Sequence, residues 1–473
     1  MKILLILPPS LDSAYEESDM YETMMEEAGS YPPLGLLYVA TYAKVVHNFQ
    51  VKVIDSITEK LDYSNISEII TKYDPDILGI SMTTDFQLSG FKCAALAKSL
   101  KKEILVVAGG PHVQIYPKET ISKENIDFII FGEGEIAFSE LILTLSGKRN
   151  KSPEEIMGVF SKKNISKTMT RVKIDDLNSL PFPDRRFLKL DHYKNFLSFS
   201  NPITTMMTSR GCAFNCNYCN SIERAQKVRL RSPENIINEF KEIKKIGIND
   251  VIIFDENFMY DIERVFEICN GLKKEKLQMR WHCRSRIDMK ITQDLLYLMK
   301  ESGCYMIQFG IEAGTPRIQK LINKNLDLEK VRKVVNMVKN AGIYTFGNFM
   351  IGLPTESEDE MMASIKFAES LNLDYVPFYI FSPIPDSNFY LNALKEGTIE
   401  KDYWREYSED PYNKKLPNYY WPKHDPDQLR KIYKKAFRKF YLNPKYLLRA
   451  LIRKQSYKQK IWQIKSGIKL LFG

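Results

Sequence analysis

The sequence has 473 residues, of which 44% are hydrophobic and 27% are charged. These proportions are ordinary for a globular protein, and the length predicts two or three domains with large buried cores. The apolar run 3–7 is too short for a signal peptide, and no apolar run approaches the roughly 18 residues that a membrane-spanning helix needs. We therefore expect a cytoplasmic protein.

The cysteines do not form the pattern of a disulfide-stabilised secreted protein. Three of the seven lie at 212, 216 and 219, whereas those at 93, 269, 283 and 304 are scattered. Such spacing predicts reduced thiols in a reducing compartment. We interpret the four scattered cysteines as core residues.

The first 146 residues alternate between strand-like and helix-like stretches. The strand-like stretches are 2–7, 50–55, 76–81, 104–108 and 127–131. Alternation at this spacing predicts an α/β domain with a doubly wound parallel sheet, which binds ligands at the carboxyl ends of its strands.

Polar and glycine-rich segments follow three of these predicted strands. Their glycines would let the backbone approach a ligand closely, although simple turns would explain each segment equally well. The candidate ligand-binding residues at these strand ends are Ser81, Thr83, Gly109, Gly110, His112, Gly132, Glu133 and Gly134.

A second α/β series begins after a linker at 147–199 that is rich in helix and strand breakers. Six strand-like stretches alternate with helical ones and predict a partial (β/α)6 barrel at 200–390, with its chemistry at the carboxyl ends of the strands. The strands are predicted at 204–209, 250–254, 280–284, 305–310, 345–350 and 375–381. A C-terminal helical region follows at 391–473, and the predicted N-terminal domain is 1–146.

The cysteine cluster lies in a loop just after the first strand of this barrel. Cys212, Cys216 and Cys219 have the spacing C-x3-C-x2-C. Three thiolates on a [4Fe-4S] cluster leave one iron open for a ligand. A structural zinc site is the alternative, but it needs four ligands, and no fourth cysteine or histidine lies nearby in the sequence.

With an aromatic residue before its last cysteine, this motif resembles that of the radical S-adenosylmethionine (SAM) superfamily. The resemblance implies that the open iron binds SAM, which an electron from the cluster cleaves to a 5′-deoxyadenosyl radical. By the same resemblance, the main chain at Tyr218 meets the adenine and Glu256 lies where the family holds the amino group. The common Gly-Gly-Glu form is absent around Glu256, as is typical of the cobalamin-linked branch.

The resemblance continues through the remaining barrel strands. Arg284 and Arg286 follow the third strand, where a family arginine meets the methionine carboxylate, and Glu312 resembles an acid that contacts the cofactor. Ion pairs at the barrel rim are the alternative interpretation of all three. The segments 347–356 and 383–387 resemble the family's fifth and sixth strand ends.

The N-terminal segments 31–36, 79–81, 109–112 and 132–135 resemble the cobalamin-binding domain of the family's cobalamin-dependent branch. The Asp-x-His-x-x-Gly motif that supplies a lower histidine ligand in many cobalamin proteins is absent at 8–12. Cobalamin is therefore expected to bind without a protein imidazole from this motif. We interpret His112 as a turn histidine that bonds the backbone or the corrin periphery rather than cobalt.

The resemblance implies a [4Fe-4S] cluster, SAM and cobalamin as cofactors and an electron donor of the flavodoxin or ferredoxin type. The leading hypothesis is methylation of an unactivated carbon of a small or hydrophobic metabolite. A cobalamin-linked rearrangement or ring closure is the alternative among enzymes, and a cobalamin-responsive binding module is the alternative of another class. No residue is predicted to act catalytically on the substrate itself.

The net charge of +9 arises in the C-terminal tail, because 430–469 contains fourteen Lys and Arg and no acid follows Asp427. Lys and Arg alternate with aromatic and aliphatic residues across 428–473 in a helical pattern broken at Pro444. This pattern suits peripheral contact with an anionic membrane, which would favour a lipid-like substrate. A helix packed on the barrel and nucleic-acid binding are the alternatives, but no nucleic-acid motif is present, so we do not expect the latter.

Overall fold

The computed structural model describes residues 1–12, 14, 29–195, 197–221, 226–414, 416 and 420–453. These residues form two compact units. The first unit contains the described residues of 1–14, 30–193 and 401–416, and the second contains residue 29, 194–400 and 420–453.

The first unit contains a six-stranded sheet in the order β2-β1-β3-β4-β5-β6. All neighbours pair in parallel except β6, which runs antiparallel to β5. The strands are β1 (Lys2–Leu7), β2 (Gln50–Asp55), β3 (Ile77–Ser81), β4 (Leu105–Gly109), β5 (Phe128–Ile130) and β6 (Val159–Phe160). This order reverses between β1 and β3, as in flavodoxin-like doubly wound folds, so the predicted fold class is confirmed for this unit.

Helices connect the strands of the first sheet. They are α1 (Leu34–His47), α2 (Tyr63–Tyr73), α3 (Gln87–Leu100), α4 (Pro111–Ile115), α5 (Pro117–Ile121) and α6 (Gly134–Leu145). The central residues of β1, from Ile3 to Ile6, are fully buried, as expected where helices cover both faces of a parallel sheet. The ends of β3, β4 and β5 thus lie at one edge of the sheet.

The second unit contains six parallel strands in sequential order, which form a partial barrel as predicted. Its strands are β7 (Ile203–Met206), β10 (Asp250–Ile253), β11 (Arg280–Arg286), β12 (Cys304–Glu312), β13 (Tyr344–Ile351) and β14 (Phe378–Ile380). The intervening helices are α7 (Pro233–Lys245), α8 (Ile262–Lys274), α9 (Gln293–Glu301), α10 (Pro316–Leu321), α11 (Leu328–Asn340), α12 (Glu358–Ser370) and α13 (Asn388–Lys395).

Two predicted strands differ from those observed. The first ends at Met206, and β8 (Ser209–Arg210) instead pairs antiparallel with β9 (Arg229–Leu230), on the far side of the cysteine loop. In the last, Tyr375 forms only an isolated bridge with Phe346 before β14 begins.

The chain after the barrel is helical. Helix α14 (Tyr403–Glu409) belongs to the first unit, whereas α15 (Pro426–Tyr441) and α16 (Pro444–Ile452) belong to the second. The apolar face of α15 packs against α12 and β14, with Leu429, Ile432 and Phe437 buried. The packing-helix interpretation therefore applies to α15, and the tail residues after 453 lie outside the described residues.

An apolar surface remains exposed on α16. Leu447, Leu448 and Ile452 are 46%, 62% and 74% exposed, whereas Tyr446 on the same helix is buried. None of the described helices is long and apolar enough to cross a bilayer.

The loop after β5 provides a test of the first unit's backbone geometry. Gly132 has φ +113, and an added Cβ would lie 2.2 Å from the backbone nitrogen of Val172, whereas Gly147, at φ +71, has nothing within 4 Å. Gly147→Ala should cost only the left-handed strain of about 1–2 kcal/mol. Gly132→Ala should cost at least about 2 kcal/mol more, or roughly 4–8 °C in melting temperature, because the Val172 backbone must move. Equal melting temperatures of the two variants would contradict this geometry.

Candidate active site

The cysteine loop lies between β8 and β9, at the carboxyl end of β7. Cys216 is buried, and Cys212 and Cys219 are half-buried. The loop is fixed by its own backbone: the Cys219 N–H donates to the Cys216 carbonyl at 3.2 Å and the Gln226 N–H to the Cys212 carbonyl at 2.7 Å. The pKa of Cys219 is raised to about 11, first by burial and then by the nearby Glu256, Cys216 and Cys212. The three thiols therefore face a common region.

This donor set fits a [4Fe-4S] cluster with one open iron. Among the described residues, no three His, Cys, Asp or Glu side chains converge closely enough to share a single metal ion. A cuboidal cluster binds each thiolate through a different iron, so its ligands need not meet at one point. The remaining cysteines, Cys93, Cys269, Cys283 and Cys304, are all buried as core residues.

A buried carboxylate holds the strand that leads into the cysteine loop. Asp255 accepts hydrogen bonds from the Thr208 backbone at 2.6 Å, from the Thr208 hydroxyl, and from the Ser209 hydroxyl at 2.6 Å. The Arg264 guanidinium lies 3.8 Å from the same carboxylate, and both side chains are buried. Asp255 therefore fixes the position from which the loop departs.

A second buried network lies at the carboxyl end of β12. The Tyr218 hydroxyl donates to Glu312 at 3.1 Å, and the Lys324 ammonium contacts the same carboxylate oxygen at 3.0 Å and the Tyr218 hydroxyl at 3.2 Å. Glu312 has φ +70, a conformation that is costly for a non-glycine residue and concentrates at functional sites. Two of the predicted SAM contacts, Tyr218 and Glu312, thus lie together, joined by a lysine that the sequence analysis missed.

The two predicted arginines occupy different environments. The exposed Arg284 lies 4.2 Å above the Phe254 ring. Arg286 is buried: it binds Asp288 through two hydrogen bonds of 2.9 and 2.7 Å, and it donates to the Cys216 sulfur at 3.6 Å. Arg286 thus forms an ion pair and contacts the cysteine loop, and its contact with the SAM carboxylate stays a prediction.

Glu256 is exposed and turned toward the cysteine loop. Its carboxylate accepts a hydrogen bond from the Ser221 hydroxyl at 3.0 Å. It also raises the pKa of both Cys212 and Cys219, behind burial as the main cause for each. The structure thus places Glu256 beside the cysteine loop, which Arg286 also contacts, and it places Tyr218 and Glu312 in contact with each other.

The edge of the first sheet has the features of a ligand cradle. The end of β3 is tied to that of β4, because the Met82 N–H donates to the Gly109 carbonyl at 2.9 Å. An added Cβ at Gly110, which has φ +89, would lie 2.8 Å from the Met82 backbone. At Gly109 and Gly35, by contrast, the space is open, with nothing nearer than 4.0 Å. Gly110 thus permits close packing against Met82, whereas Gly109 and Gly35 leave space that a ligand could approach.

Comparisons with known proteins agree with this geometry. Residues 206–368 match the model of the radical SAM superfamily, and residues 24–142 match that of the B12 binding domain. The chain is 33% identical over 462 residues to an uncharacterized methyltransferase of Pyrococcus horikoshii, covering 97% of this chain and 96% of that protein. The chain belongs to the cobalamin-dependent radical SAM enzymes. A cytidylyl-2-hydroxyethylphosphonate methyltransferase of Streptomyces wedmorensis is 26% identical, with 78% of this chain and 79% of that protein covered.

The fold of this radical SAM enzyme is shared by the methyltransferase TsrM from Kitasatospora setae, whose structure contains cobalamin and a [4Fe-4S] cluster. The TM-score is 0.66 at 16% identity, with 84% of this chain and 79% of TsrM covered. The likeness confirms the predicted combination of a doubly wound sheet and a partial barrel. The family's cofactors are a [4Fe-4S] cluster, SAM and cobalamin.

In this radical SAM enzyme His112 does not make the predicted ring hydrogen bond to the backbone. Helix α4 carries the side chain into the core, where it contacts the Phe91 and Tyr116 rings, and neither ring nitrogen has a partner among the described residues. Only its backbone N–H bonds the loop, at the Met82 carbonyl. Burial lowers the pKa of His112 to about 3, so the imidazole is neutral.

The remaining predicted residues at the sheet edge have mixed roles. The Glu133 carboxylate accepts the Ile174 N–H and so anchors the segment after β6, and Gly134 begins α6. Ser81 ends β3, and Thr83 is exposed just beyond it. Ser81 and Thr83 thus lie at the sheet edge where a corrin is expected to bind, whereas the Glu133 carboxylate already has a structural hydrogen bond.

Three functional residues escaped the sequence analysis. Asp255 directly precedes Glu256, so its place in that motif could have indicated a role. Nothing in the sequence distinguished it from the residues beside it. Lys324 lies in a connecting loop and meets Glu312 only through the fold, whereas Asp288 lies two residues after Arg286 and pairs with it locally.

Proposed function

We propose that this enzyme methylates an unactivated carbon of a small or hydrophobic metabolite. When bound, the cluster supplies the electron that cleaves SAM and cobalamin carries the methyl group. The proposal is supported by the combination, in one chain, of a three-cysteine loop on the barrel and a glycine-rich sheet edge with open space beside it. The same chain is 33% identical, over nearly its whole length, to a protein named as a methyltransferase. The family members TsrM and cytidylyl-2-hydroxyethylphosphonate methyltransferase support it by name.

The Tyr218–Glu312–Lys324 network is proposed to contact SAM at the barrel's carboxyl end. Lys324 neutralises the Glu312 carboxylate, so the pair can offer both a donor and an acceptor to a ligand without burying a net charge. Gly310 leaves room for this pair, since an added Cβ there would lie 2.4 Å from Glu312 Oε1 and 2.5 Å from Lys324 Nζ. We assign Glu256 and Ser221 to the open side of the cysteine loop, where the amino group of SAM would bind.

The substrate is proposed to be a small molecule, and the reductant a flavodoxin- or ferredoxin-type protein. TsrM has been crystallised with tryptophan and a SAM analogue, which supports a small-molecule substrate for this enzyme. The [4Fe-4S] clusters of radical SAM enzymes are strong reductants, so their reduction needs an electron carrier of low reduction potential.

The experiment that tests the function uses the anaerobically reconstituted full chain with cobalamin and methyl-deuterated SAM, incubated with a metabolite extract of the producing cell. The expected result is a product that carries three deuterium atoms and is about 3 Da heavier than the product from unlabelled SAM, together with 5′-deoxyadenosine and S-adenosylhomocysteine. An unlabelled product formed with 5′-deoxyadenosine would replace methylation by the rearrangement alternative. Absence of SAM cleavage would leave only the binding-module alternative.

Arg286 is proposed to position Cys216 and to tune the cluster, since its guanidinium contacts the sulfur and lies 3.9 Å from the Phe214 ring. Removing a cation and a hydrogen bond from a ligating sulfur disfavours the reduced cluster. Arg286→Gln is expected to lower the reduction potential by roughly 50 mV, as measured by EPR-monitored titration. Arg284→Gln, an exposed control, should leave it unchanged, and equal potentials in all three proteins would refute the role.

We also propose peripheral contact with anionic membranes through α16. Leu447, Leu448 and Ile452 form its exposed apolar surface, and the adjoining Lys445 and Arg449 supply positive charge. Each basic residue near an anionic bilayer contributes about 1 kcal/mol, which salt screens within roughly 8 Å. The remainder of the basic tail, including Trp462, lies outside the described residues.

Vesicle sedimentation tests this contact with point variants rather than truncation, because deleting α15 would expose its buried face on the barrel. The full chain should pellet with anionic but not neutral vesicles, and less so as salt rises. Leu448→Glu with Ile452→Glu should reduce pelleting severalfold, whereas Leu391→Glu, at a leucine on α13 that is 47% exposed, should not. Identical pelleting of both variants would remove the argument for a lipid-like substrate.

A further inference from the structure

A cavity of about 610 Å³ lies at the amino-terminal end of the barrel strands. Arg280 begins β11, Cys304 begins β12 and Tyr344 begins β13, and all three line the cavity. The cysteine loop follows the opposite, carboxyl end of β7. The cavity is large enough for a small ligand and belongs to neither of the cofactor sites described above.

Three cations line the cavity without a carboxylate partner. Arg280, Lys300 and Lys339 form no ion pair with any described residue, although Lys300 donates to the Gly342 carbonyl at 2.6 Å and Lys339 to the Asn372 carbonyl at 3.0 Å. Burial lowers the pKa of both lysines, and the nearby Arg449 lowers that of Lys339 further. The cavity therefore concentrates positive charge that the protein does not balance by direct pairing.

The acids near the cavity are already engaged. Asp374 accepts from the Thr345 backbone at 2.9 Å and hydroxyl at 3.0 Å, and it pairs with Arg453 at 3.1 Å. Asp250 lies behind the lining residue Tyr305, whose hydroxyl donates to it at 2.9 Å, and burial raises its pKa to about 7. Asp374 also lines the cavity and attracts Lys339, and Asp250 attracts Arg280, but the ion pair of Asp374 with Arg453 and the raised pKa of Asp250 leave the three cations only partly neutralised.

Helix dipoles offset only part of this charge. Lys300 and Lys339 lie in the last turns of α9 and α11, whose carboxyl ends each contribute about half a negative charge. Three cations against two half-charges leave a net charge of about +2. A phosphate monoester, which carries close to two negative charges at neutral pH, matches this balance better than a single carboxylate.

Two further observations support a ligand that is both anionic and partly apolar. Behind Asp374, the buried Arg449 Nε and Arg453 Nε have no hydrogen-bond partner among the described residues, and such buried donors mark places where water or an ion binds. Phe199 and Tyr344 stack at 6.1 Å along one wall of the cavity, and the Arg280 guanidinium lies 4.8 Å from the Phe199 ring.

We propose that this cavity is a second ligand site, which binds a phosphate monoester through Arg280, Lys300 and Lys339. Because it opens at the end of the barrel away from the cysteine loop, its ligand is not the molecule attacked by the radical. The phosphate belongs either to a soluble effector or to the headgroup of an anionic lipid. The lipid source would act together with the exposed surface of α16, whereas the soluble source would not need it.

The test uses calorimetry on the full-length, cofactor-loaded protein with glycerol 3-phosphate, at constant ionic strength. Lys300→Gln with Lys339→Gln should weaken binding at least tenfold, and Arg280→Gln, at an exposed position, should weaken it severalfold. Lys333→Gln, an exposed lysine elsewhere on α11, is the matched control and should bind as the parent does. SAM cleavage should be unchanged in all variants, which separates this site from the proposed function.

A second arm identifies the source of the phosphate. If the headgroup is the ligand, vesicles that contain phosphatidic acid, a phosphate monoester, should pellet the parent protein more strongly than the Lys300→Gln/Lys339→Gln variant, with glycerol 3-phosphate then binding weakly. Vesicles of equal negative charge that contain the phosphodiester phosphatidylglycerol should pellet both proteins equally through α16 and so serve as the control. Tight binding of glycerol 3-phosphate, without a difference between the two proteins on vesicles, would identify a soluble effector as the source of the phosphate. The proposal is overturned if neither probe binds, or if both bind the double variant and the Lys333→Gln control equally.

Discussion

Replacing Cys216 with alanine is expected to abolish SAM cleavage and to reduce iron well below the roughly four atoms per chain of the reconstituted parent. Cys216 is the most buried of the three thiols, and it contacts Arg286. Without it, two thiolates remain in the loop, which are too few to hold a site-differentiated cluster. The measurements are iron content and dithionite-dependent 5′-deoxyadenosine formation, and the loss should exceed a thousandfold, to the background rate.

Cys93→Ala and Cys269→Ala are the matched controls for this loss. Both thiols are fully buried in the helices α3 and α8, so their removal should lower stability by about 1 kcal/mol and leave iron content unchanged. Retained cleavage in Cys216→Ala, or an equal loss in the two controls, would show that the cluster is bound elsewhere.

Asp255→Asn should produce the second largest effect, because it leaves the buried Arg264 without its counterion. Removing one partner of a buried ion pair costs about 3–5 kcal/mol. Asp255 also fixes Thr208 and Ser209 before the cysteine loop, so iron incorporation into folded protein should fall severalfold. The measurements are melting temperature and iron per chain of the monomeric fraction after gel filtration.

Asp261→Ala separates loop positioning from general loss of stability. The Asp261 carboxylate caps α8 through the Arg264 N–H at 3.0 Å and does not bond the cysteine strand. Losing this cap should cost about 1 kcal/mol and leave iron content at the parent value. If Asp255→Asn retains full iron, or if Asp261→Ala loses as much, Asp255 does not position the loop.

The sheet order of both units follows from patterns that the sequence displays locally. Buried strands such as β1 and β10 read as short apolar runs between turn signals, and their alternation with amphipathic helices implies parallel pairing. The division of the predicted first barrel strand into β7 and β8 could not be predicted, because Thr208 bonds Asp255 and β8 pairs with β9, and both partners are distant in the sequence.

The candidate site was predictable where its residues share one loop or strand end. The cysteine spacing, Tyr218 and Glu312 carry such signals, and their proximity follows from the barrel. Lys324 was not predictable, since a lysine in a loop is usually solvated and only the fold shows that it pairs with Glu312. Asp288 was closer to predictable, because it lies two residues after Arg286, but the burial of that pair depends on the fold. In the same way, the sequence of α15 fits both a helix packed on the barrel and an amphipathic membrane helix. Only its contacts with α12 and β14 decide between the two.

If one chain holds both a three-cysteine [4Fe-4S] cluster and cobalamin, metal and corrin analysis of the anaerobically purified full chain should find both. The expected result is about four iron atoms and one cobalt per chain, with the cobalt spectrum unchanged in His112→Ala because that imidazole is buried in the core. Iron without any corrin binding, zinc in place of iron, or an imidazole signature that disappears in His112→Ala would contradict it.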